Sequence, residues 1–395
     1  MKISALPIHF LAIIGFLFSG TLLSAQEHSV AEANDEGRIN TQEEITDYQN
    51  HHLKDSHDFH LFSYTDDAGE RHSIGFALPV IVWSSNGPVA FMSSKFHHDT
   101  NGEVIVEAGG SRFVNLHDKI YELEEGAEEV VMDEHHHPAN AHTPLDLSIT
   151  KSVFGMLIIG LLLIFWFGGL GKQYKKRSIP KGFGRALEPL VIYVRDEIAR
   201  PNIGEKKYRK YMSFLLTVFF FIWVSNLLGM TPFGFNITGQ IAVTVCLALF
   251  TFFIVQFSGN KDYWKHIFWM PDVPVVMKIM LIPIEILGIL TKPFSLLIRL
   301  FANITAGHVV VMGLIALTIT MKEQFGAVGS TGLSLVLTLF ISLIELLVAF
   351  LQAFIFTMLS ALFIGMAVAE HDHHHEHDAD GNEIDDVEDV RESFV

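Results

Sequence analysis

The sequence predicts an all-α polytopic membrane protein carrying a small β-rich amino-terminal domain outside the membrane. About five spans are expected, with an amphipathic surface helix and two long, tilted carboxyl-terminal helices. Three observations predict this. Half of the 395 residues are hydrophobic and 33 are phenylalanine, yet the formal net charge is −17. These properties are segregated: residues 26–146 and 371–395 are polar, acidic and histidine-rich, and apolar runs of membrane-spanning length lie between them. Within the apolar run from Leu281 to Thr320 stands Arg299. A cation at bilayer depth costs at least a few kcal/mol, so it marks an ion pathway, a sensor or a counter-ion site.

Composition also excludes classes of function. Cys246 is the single cysteine and lies in an apolar run, so an intrachain disulfide, a thiolate nucleophile and a cysteine metal site are ruled out. The acidic balance argues against nucleic acid as a partner.

Residues 1–25 have the form of a secretory signal: Lys2, an apolar stretch from Ile8 to Leu23, and Leu23-Ser24-Ala25 as a cleavage site. Residues 26–146 form the extracytoplasmic segment. Its β-domain is expected from Phe59 to Leu123, where strand-like runs alternate with turn chemistry. Ser73 to Val82 is rich in β-formers and is interrupted at Asn86-Gly87-Pro88. Val89 to Phe96 follows, and Asn101-Gly102 before Glu103 to Val106 is a hairpin signal. Glu122 to Ala141 is expected to be an acidic linker.

The membrane domain is assigned to residues 147–370. Its first span, Val153 to Leu170, precedes Lys172, Lys175, Lys176, Arg177 and Lys181, which places that end in the cytoplasm and the β-domain outside. From Arg185 to Ile198 the apolar residues share one helical face, which suits the membrane surface or docking on protein equally. Tyr211 to Met230 spans outward, Thr231-Pro232-Phe233-Gly234 breaks it, and Ile237 to Phe257 returns. Two long segments follow, Val275 to Thr320 and Leu333 to Val368, with the carboxyl terminus in the cytoplasm.

The polar residues of the last two segments are Glu285, Arg299, Asn303 and His308 in one, and Glu345 and Gln352 in the other. Each also suits a plain interhelical hydrogen bond. In an antiparallel hairpin turning near Phe325 and Gly326, Arg299 is level with Gln352 and His308 with Glu345, ~10–14 Å nearer the outside. Glu285 lies ~21 Å from Arg299 towards the cytoplasm. The outer histidine–glutamate pair can titrate near neutral pH, whereas arginine cannot relay a proton. Proton carriers on either side of a fixed cation suit two offset half-paths rather than one continuous pore.

At these residues the chain resembles subunit a of the F-type ATP synthases, over roughly residues 145 to 370. The resemblance rests on the run from Lys292-Pro293-Phe294-Ser295 through Arg299-Leu300-Phe301-Ala302-Asn303 to Ala306-Gly307-His308. It rests also on Leu351-Gln352-Ala353-Phe354-Ile355-Phe356 and on Asn226 to Pro232. It implies a non-catalytic proton-channel subunit in a bacterial inner membrane. Its partners would be the c-subunit ring, the peripheral-stalk b subunits, other ATP synthase subunits and the lipid bilayer, and it needs no cofactor. Arg299 would face the ring and attract its carboxylate. Asn303, His308, Glu345 and Gln352 would serve the outward half-channel, and Glu285 the cytoplasmic side.

The sequence departs from many bacterial relatives in having histidine and glutamate exchanged at 308 and 345. The β-rich domain and the histidine runs, His135 to His137 and His371 to His377, also fall outside the common pattern. The acidic tail, residues 371–395, is expected to be disordered. A histidine-rich metal-ion transporter is the alternative function, and it requires a metal-ligand cluster within the membrane.

Overall fold

The computed structural model describes residues 55–369, apart from residues 66–70, 98, 125, 128–129, 133–137, 177–179, 232–234 and 271–273, together with residues 376–377 and 383–384. The signal sequence expected over residues 1–25 lies outside the described residues, as do His135 to His137 and most of the tail. The described tail pairs Glu376–His377 with Glu383–Ile384.

Among its described residues, the amino-terminal region has nine short strands. A hairpin of β1 (Asp58–Thr65) and β2 (Arg71–Ala77) leads into β3 (Pro79–Ser84) and β4 (Gly87–Met92). Then come β5 (Val106–Ala108), β6 (Ser111–Leu116), β7 (Lys119–Leu123), β8 (Ala141–His142) and β9 (Leu145–Asp146). One sheet has the order β4-β3-β9 and another β5-β6-β7-β8. Their inner faces share a core of Val80, Val82, Phe91, Phe96, Val106, Phe113 and Ile120. The alternating burial of β3 shows why: Val80 and Val82 point inward while their neighbours do not.

Two expectations for this region are corrected. Asn101-Gly102 does not turn a hairpin, because β4 and β5 belong to different sheets, and the tight turn from β5 into β6 is made by Gly109 and Gly110, both at positive φ. Asn101 instead forms an isolated bridge to Leu116. The stretch expected as a linker returns to the sheets at its end, because Ala141 and His142 pair with β7 and Leu145 and Asp146 with β3.

Helix α1 (Lys151–Lys176) follows β9 directly. Its first turn is held by the β-region: the Ser152 amide donates to Asp55 Oδ1 at 2.9 Å and the Lys151 amide to the Ser56 carbonyl at 2.9 Å. These bonds satisfy amides that a helix start leaves open. The buried His57 pairs with Asp146 at 3.0 Å. Burial alone would raise the Asp146 carboxyl, but hydrogen bonds from His57 and Ser148 outweigh it and hold the group below its ordinary value. Phe59 and Phe76 pack on Phe154 of α1, and Phe59 also meets Phe235. The β-region thus sits directly on the helix ends.

Next come α2 (Phe183–Tyr193), a π-helical turn at Val194–Ala199 and the short α3 (Arg200–Ile203). Leu187, Val194 and Ile198 are buried in the same cluster as α4 (Tyr208–Gly229), which settles the open alternative in favour of docking on protein. Helix α5 (Ile241–Ser258) begins later than the expected Ile237. The preceding residues are used for packing: Phe235 and Ile237 approach Gly155 so closely that a Cβ there would stand 2.7–2.8 Å away. The short α6 (Lys261–Phe268) leads to α7 (Val275–Thr320) and α8 (Lys322–Val368). Gly326, at φ 71 and ψ 169, breaks the first turns of α8, in the region where the turn is expected.

The chain is therefore an all-α polytopic membrane protein with an amino-terminal β-rich region. Among the described residues, four helical segments are long and apolar enough to cross a membrane: α1, α4, α5 and residues 328–368 of α8. Helix α7, 46 residues long, is not one of them, so the expected count of five is not reached by length and composition. A charged residue recurs every seven positions along its first half, at Lys278, Glu285, Lys292 and Arg299.

The carboxyl-terminal end of α8 is clamped. Lys207 Nζ donates to the Val368 carbonyl at 2.7 Å, Asn260 Nδ2 donates to the same oxygen at 2.9 Å, and the Asn260 amide donates to Ala367 at 2.9 Å. A Cβ on Gly365 would stand 1.8 Å from the Asn202 carbonyl oxygen, which is backbone and cannot turn aside. Gly365→Val should therefore destabilise the protein by ~1–3 kcal/mol or more. Thermal unfolding in detergent measures this, with Gly160→Ala, at an unobstructed helical glycine, expected to be neutral or slightly stabilising.

The Asp146 pairing makes the junction acid-sensitive in a defined direction. A depressed carboxyl stabilises the fold above the unfolded value of about 3.9, and this contribution is lost as pH falls through the folded value. Hydrogen-exchange protection of β9 should drop below about pH 4 in the parent chain. Asp146→Asn should weaken that protection near neutrality and remove its acid dependence.

Candidate membrane-embedded charge site

Helix α7 presents its charges along one face, since seven residues make nearly two turns. Three of the four have partners within the chain. Lys278 Nζ lies 4.5 Å from the centre of the Trp269 ring. Glu285 Oε1 lies 3.8 Å from His266 Nδ1. Lys292 Nζ lies 5.3 Å from the centre of the Phe363 ring. Arg299, the fourth, is exposed, and among the described residues it has no hydrogen bond, ion pair or ring contact. Its neighbours Leu296 and Leu300 are buried against the helical core, so the helix turns Arg299 away from that core.

The polar residues towards the turn face α8. Asn303 Nδ2 donates to Gln352 Oε1 at 3.1 Å, and Gln352 is only 2% exposed. The half-buried Glu345 lies against Gly307, where a Cβ would stand 2.8 Å from its Oε1. Only the glycine lets the carboxylate approach the α7 backbone there. Closer to the turn, Ser334 Oγ donates to the Leu314 carbonyl. These contacts run antiparallel along the two helices and fix their register.

Gln352 bonds Asn303, one helical turn beyond Arg299, while the Gly307–Glu345 and Leu314–Ser334 contacts keep the two helices within a turn of the expected register. Glu345 reaches the residue next to His308, whose side chain lies outside the described set.

A second polar group lies further towards the amino-terminal end of α7, where the helix also meets α5 and α6. Lys292 lines a small pocket with Thr251, Gln256, Leu296 and Phe363. Gln256 Nε2 lies 3.5 Å from the Tyr263 hydroxyl. Burial pushes the Tyr263 phenol up, a trend that Gln256 opposes and Glu285 reinforces. Sequence reasoning did not single out Lys292, Gln256 or His266 as site residues. The seven-residue spacing was the signal for Lys292. No pattern marked Gln256 and His266, because their proximity depends on how α5 and α6 fold back on α7.

Asn226 joins three elements. Its Nδ2 donates to the Ala349 carbonyl of α8 at 3.3 Å, and its Oδ1 accepts from Thr238 Oγ1 at 2.8 Å. It is buried, so both bonds offset its desolvation. The alternative of a metal-ion transporter is overturned. Among the described residues no group of three or more histidine, cysteine, aspartate or glutamate side chains could hold a metal ion.

Comparison with known proteins gives a consistent result. The family model described as ATP synthase A chain matches residues 153–365, and a second one, Domain of unknown function (DUF8433), matches residues 48–147. The chain is 47% identical over 232 residues to ATP synthase subunit a of Chlorobium phaeobacteroides (strain BS1), covering 57% of this chain and 67% of that relative. It is 45% identical over 248 residues to ATP synthase subunit a 2 of Chlorobaculum tepidum, covering 61% and 67%. It is 45% identical over 231 residues to ATP synthase subunit a of Myxococcus xanthus (strain DK1622), covering 57% and 74%. With more than half of its length matched by the first of these models and relatives of this similarity, the chain belongs to the ATP synthase A chain family.

Proposed function

We propose that this chain is the stator proton channel of a rotary F-type ATP synthase, in which Arg299 separates two offset half-channels. The observation that carries the proposal is the isolation of Arg299. Of the four charges on one face of α7, it alone is exposed and lacks a partner among the described residues. A cation at membrane depth needs a counter-charge. The family supplies one on another subunit, the carboxylate of a c-ring passing the exposed face.

In this reading α7 is the fifth span, its charged face turned to the ring rather than to lipid. The outward half-channel uses Asn303, His308, Glu345 and Gln352, and the inward one opens beside Glu285. An ionised ring carboxylate approaching Arg299 is held without a proton. It must take one from the outward path on one side and release one to the inward path on the other. Arginine keeps its charge throughout, so protons cannot pass straight across. Movement of each charge contributes about 2.3 kcal/mol per 100 mV, which turns the ring and drives synthesis in the catalytic head. The cluster Lys172, Lys175 and Lys176 at the end of α1 supports a cytoplasmic location there, with the β-region outside and the carboxyl terminus inside. The chain itself is non-catalytic, and its setting is a multi-pass inner-membrane complex with the c-ring and the peripheral-stalk b subunits as partners.

Arg299→Ala should reduce ATP-driven proton pumping in inside-out vesicles to background while ATP hydrolysis by the head persists. Normal coupled pumping in that variant would sink the proposal. The assignment of the outward path has its own test. The double exchange His308→Glu with Glu345→His should retain more pumping than His308→Ala or Glu345→Ala alone. Two silent single variants would remove both residues from the path.

A further inference from the structure

The outward face of the three-stranded sheet is apolar throughout. Residue pairing defines three rows across it. Pro88, Trp83 and Leu145 form one row. Ala90, Ile81 and Leu147 form the next, and Met92, Pro79 and Ile149 the third, with the Leu147 and Ile149 amides donating to the Ile81 and Pro79 carbonyls. Antiparallel sheets with one buried face normally carry polar residues on the other. Here the outward face is apolar as well as the core residues beneath it, and Trp83 is 56% exposed, Met92 45%, Leu145 63% and Leu147 58%. The outward face of the four-stranded sheet differs. It carries Glu107, Arg112 and Lys119, and its apolar Val114, Leu116 and Leu123 are buried.

We propose that this nine-residue face rests on the lipid bilayer, in the headgroup region of the leaflet at the amino-terminal end of α1. Three observations select lipid as the occupant. The face is continuous with the membrane domain: Ile149 stands two residues before α1, and Leu78, immediately before Pro79, is buried in the helical core cluster. Helix α1 then exposes Leu157, Leu161, Ile164 and Phe165, the surface a bilayer covers. The β-region is seated on the helix ends through Phe59, Phe76, Phe154 and Phe235, so the sheet cannot stand away from the membrane. None of the nine side chains accepts a hydrogen bond and only the Trp83 indole can donate one, whereas protein interfaces carry about one per 100–200 Å². Tryptophan among aliphatic residues is the composition of a membrane-interface belt.

Geometry adds a condition. Leu145 stands ~13 Å along the strand from Ile149 at about 3.3 Å per residue. The headgroup zone of one leaflet is only ~5–8 Å deep. The strands must therefore run obliquely to the bilayer plane, so that Leu145 and Leu147 lie at similar depth. The proposal rests on membership in a membrane family and not on the proton path assigned above.

The test uses the reconstituted complex in a Cys246→Ser background, with spin labels at Leu145→Cys, Leu147→Cys and, as an aqueous reference, Lys119→Cys. Power saturation compares collisions with oxygen, which concentrates in lipid, and with a water-soluble nickel chelate. The expected result is an oxygen-to-nickel ratio several-fold higher at both 145 and 147 than at 119. A ratio matching that at 119 means water covers the face and overturns the proposal. Low accessibility to both reagents means protein covers it, whether another subunit, a second copy or the residues before Asp55, and overturns it equally. If the labelled chains fail to assemble, the same decision comes from brominated-lipid quenching, with the parent expected to lose more tryptophan fluorescence than Trp83→Phe. Coupled pumping in the labelled complex, measured alongside, separates failure here from failure of the proton-path reading.

Discussion

Everything in the membrane domain depends on two apolar helices agreeing on one register. Apolar side chains alone would let α7 and α8 slide, since one leucine packs much like another. The hydrogen bond from Asn303 to Gln352 restricts that freedom, because a one-turn slip would leave the buried Gln352 side-chain oxygen without its donor. Glu345 against Gly307 is a steric lock on the same register. The position of each polar group on one helix relative to those on the other is thereby fixed.

The structure also distributes polarity along α7. One set of groups, Asn303 and the Glu345 contact, lies against α8. Another, Glu285 with His266 and Lys292 beside Gln256, lies against α5 and α6. Arg299 falls between the two sets along the chain and contacts neither.

Much of this was legible in the sequence because length and polarity carry it. The bounds of α7, Val275 and Thr320, follow from the apolar run, and the break at Gly326 from its glycine. Other features were not legible. Ile237 belongs to a buried plug rather than to α5, and nothing in its apolar character separates the two uses. Asn101-Gly102 carries strong hairpin chemistry, yet the strands before and after it, β4 and β5, belong to different sheets, so no hairpin forms across it. That Gln352 bonds Asn303 and not Arg299 depends on how the two helices wind past each other, which spacing along a single chain does not encode. The inner group was hidden for a similar reason: His266 and Gln256 are distant from Glu285 and Lys292 in sequence and meet only through tertiary folding.

The clamp on Val368 has a mechanical meaning. Three donors from Lys207 and Asn260 grip the last carbonyls of α8, while the first turns at its other end are broken by Gly326, whose backbone has left the helical region. A rod fixed at one end and jointed at the other behaves as a cantilever. Sideways load on the α7–α8 pair is resisted most stiffly near Val368 and most weakly near Gly326. Gln352 and Asn303 lie towards the stiff end, and Ser334 and Leu314 towards the compliant one. Such a beam can yield at its tip to an uneven moving surface while keeping the spacing at its root constant.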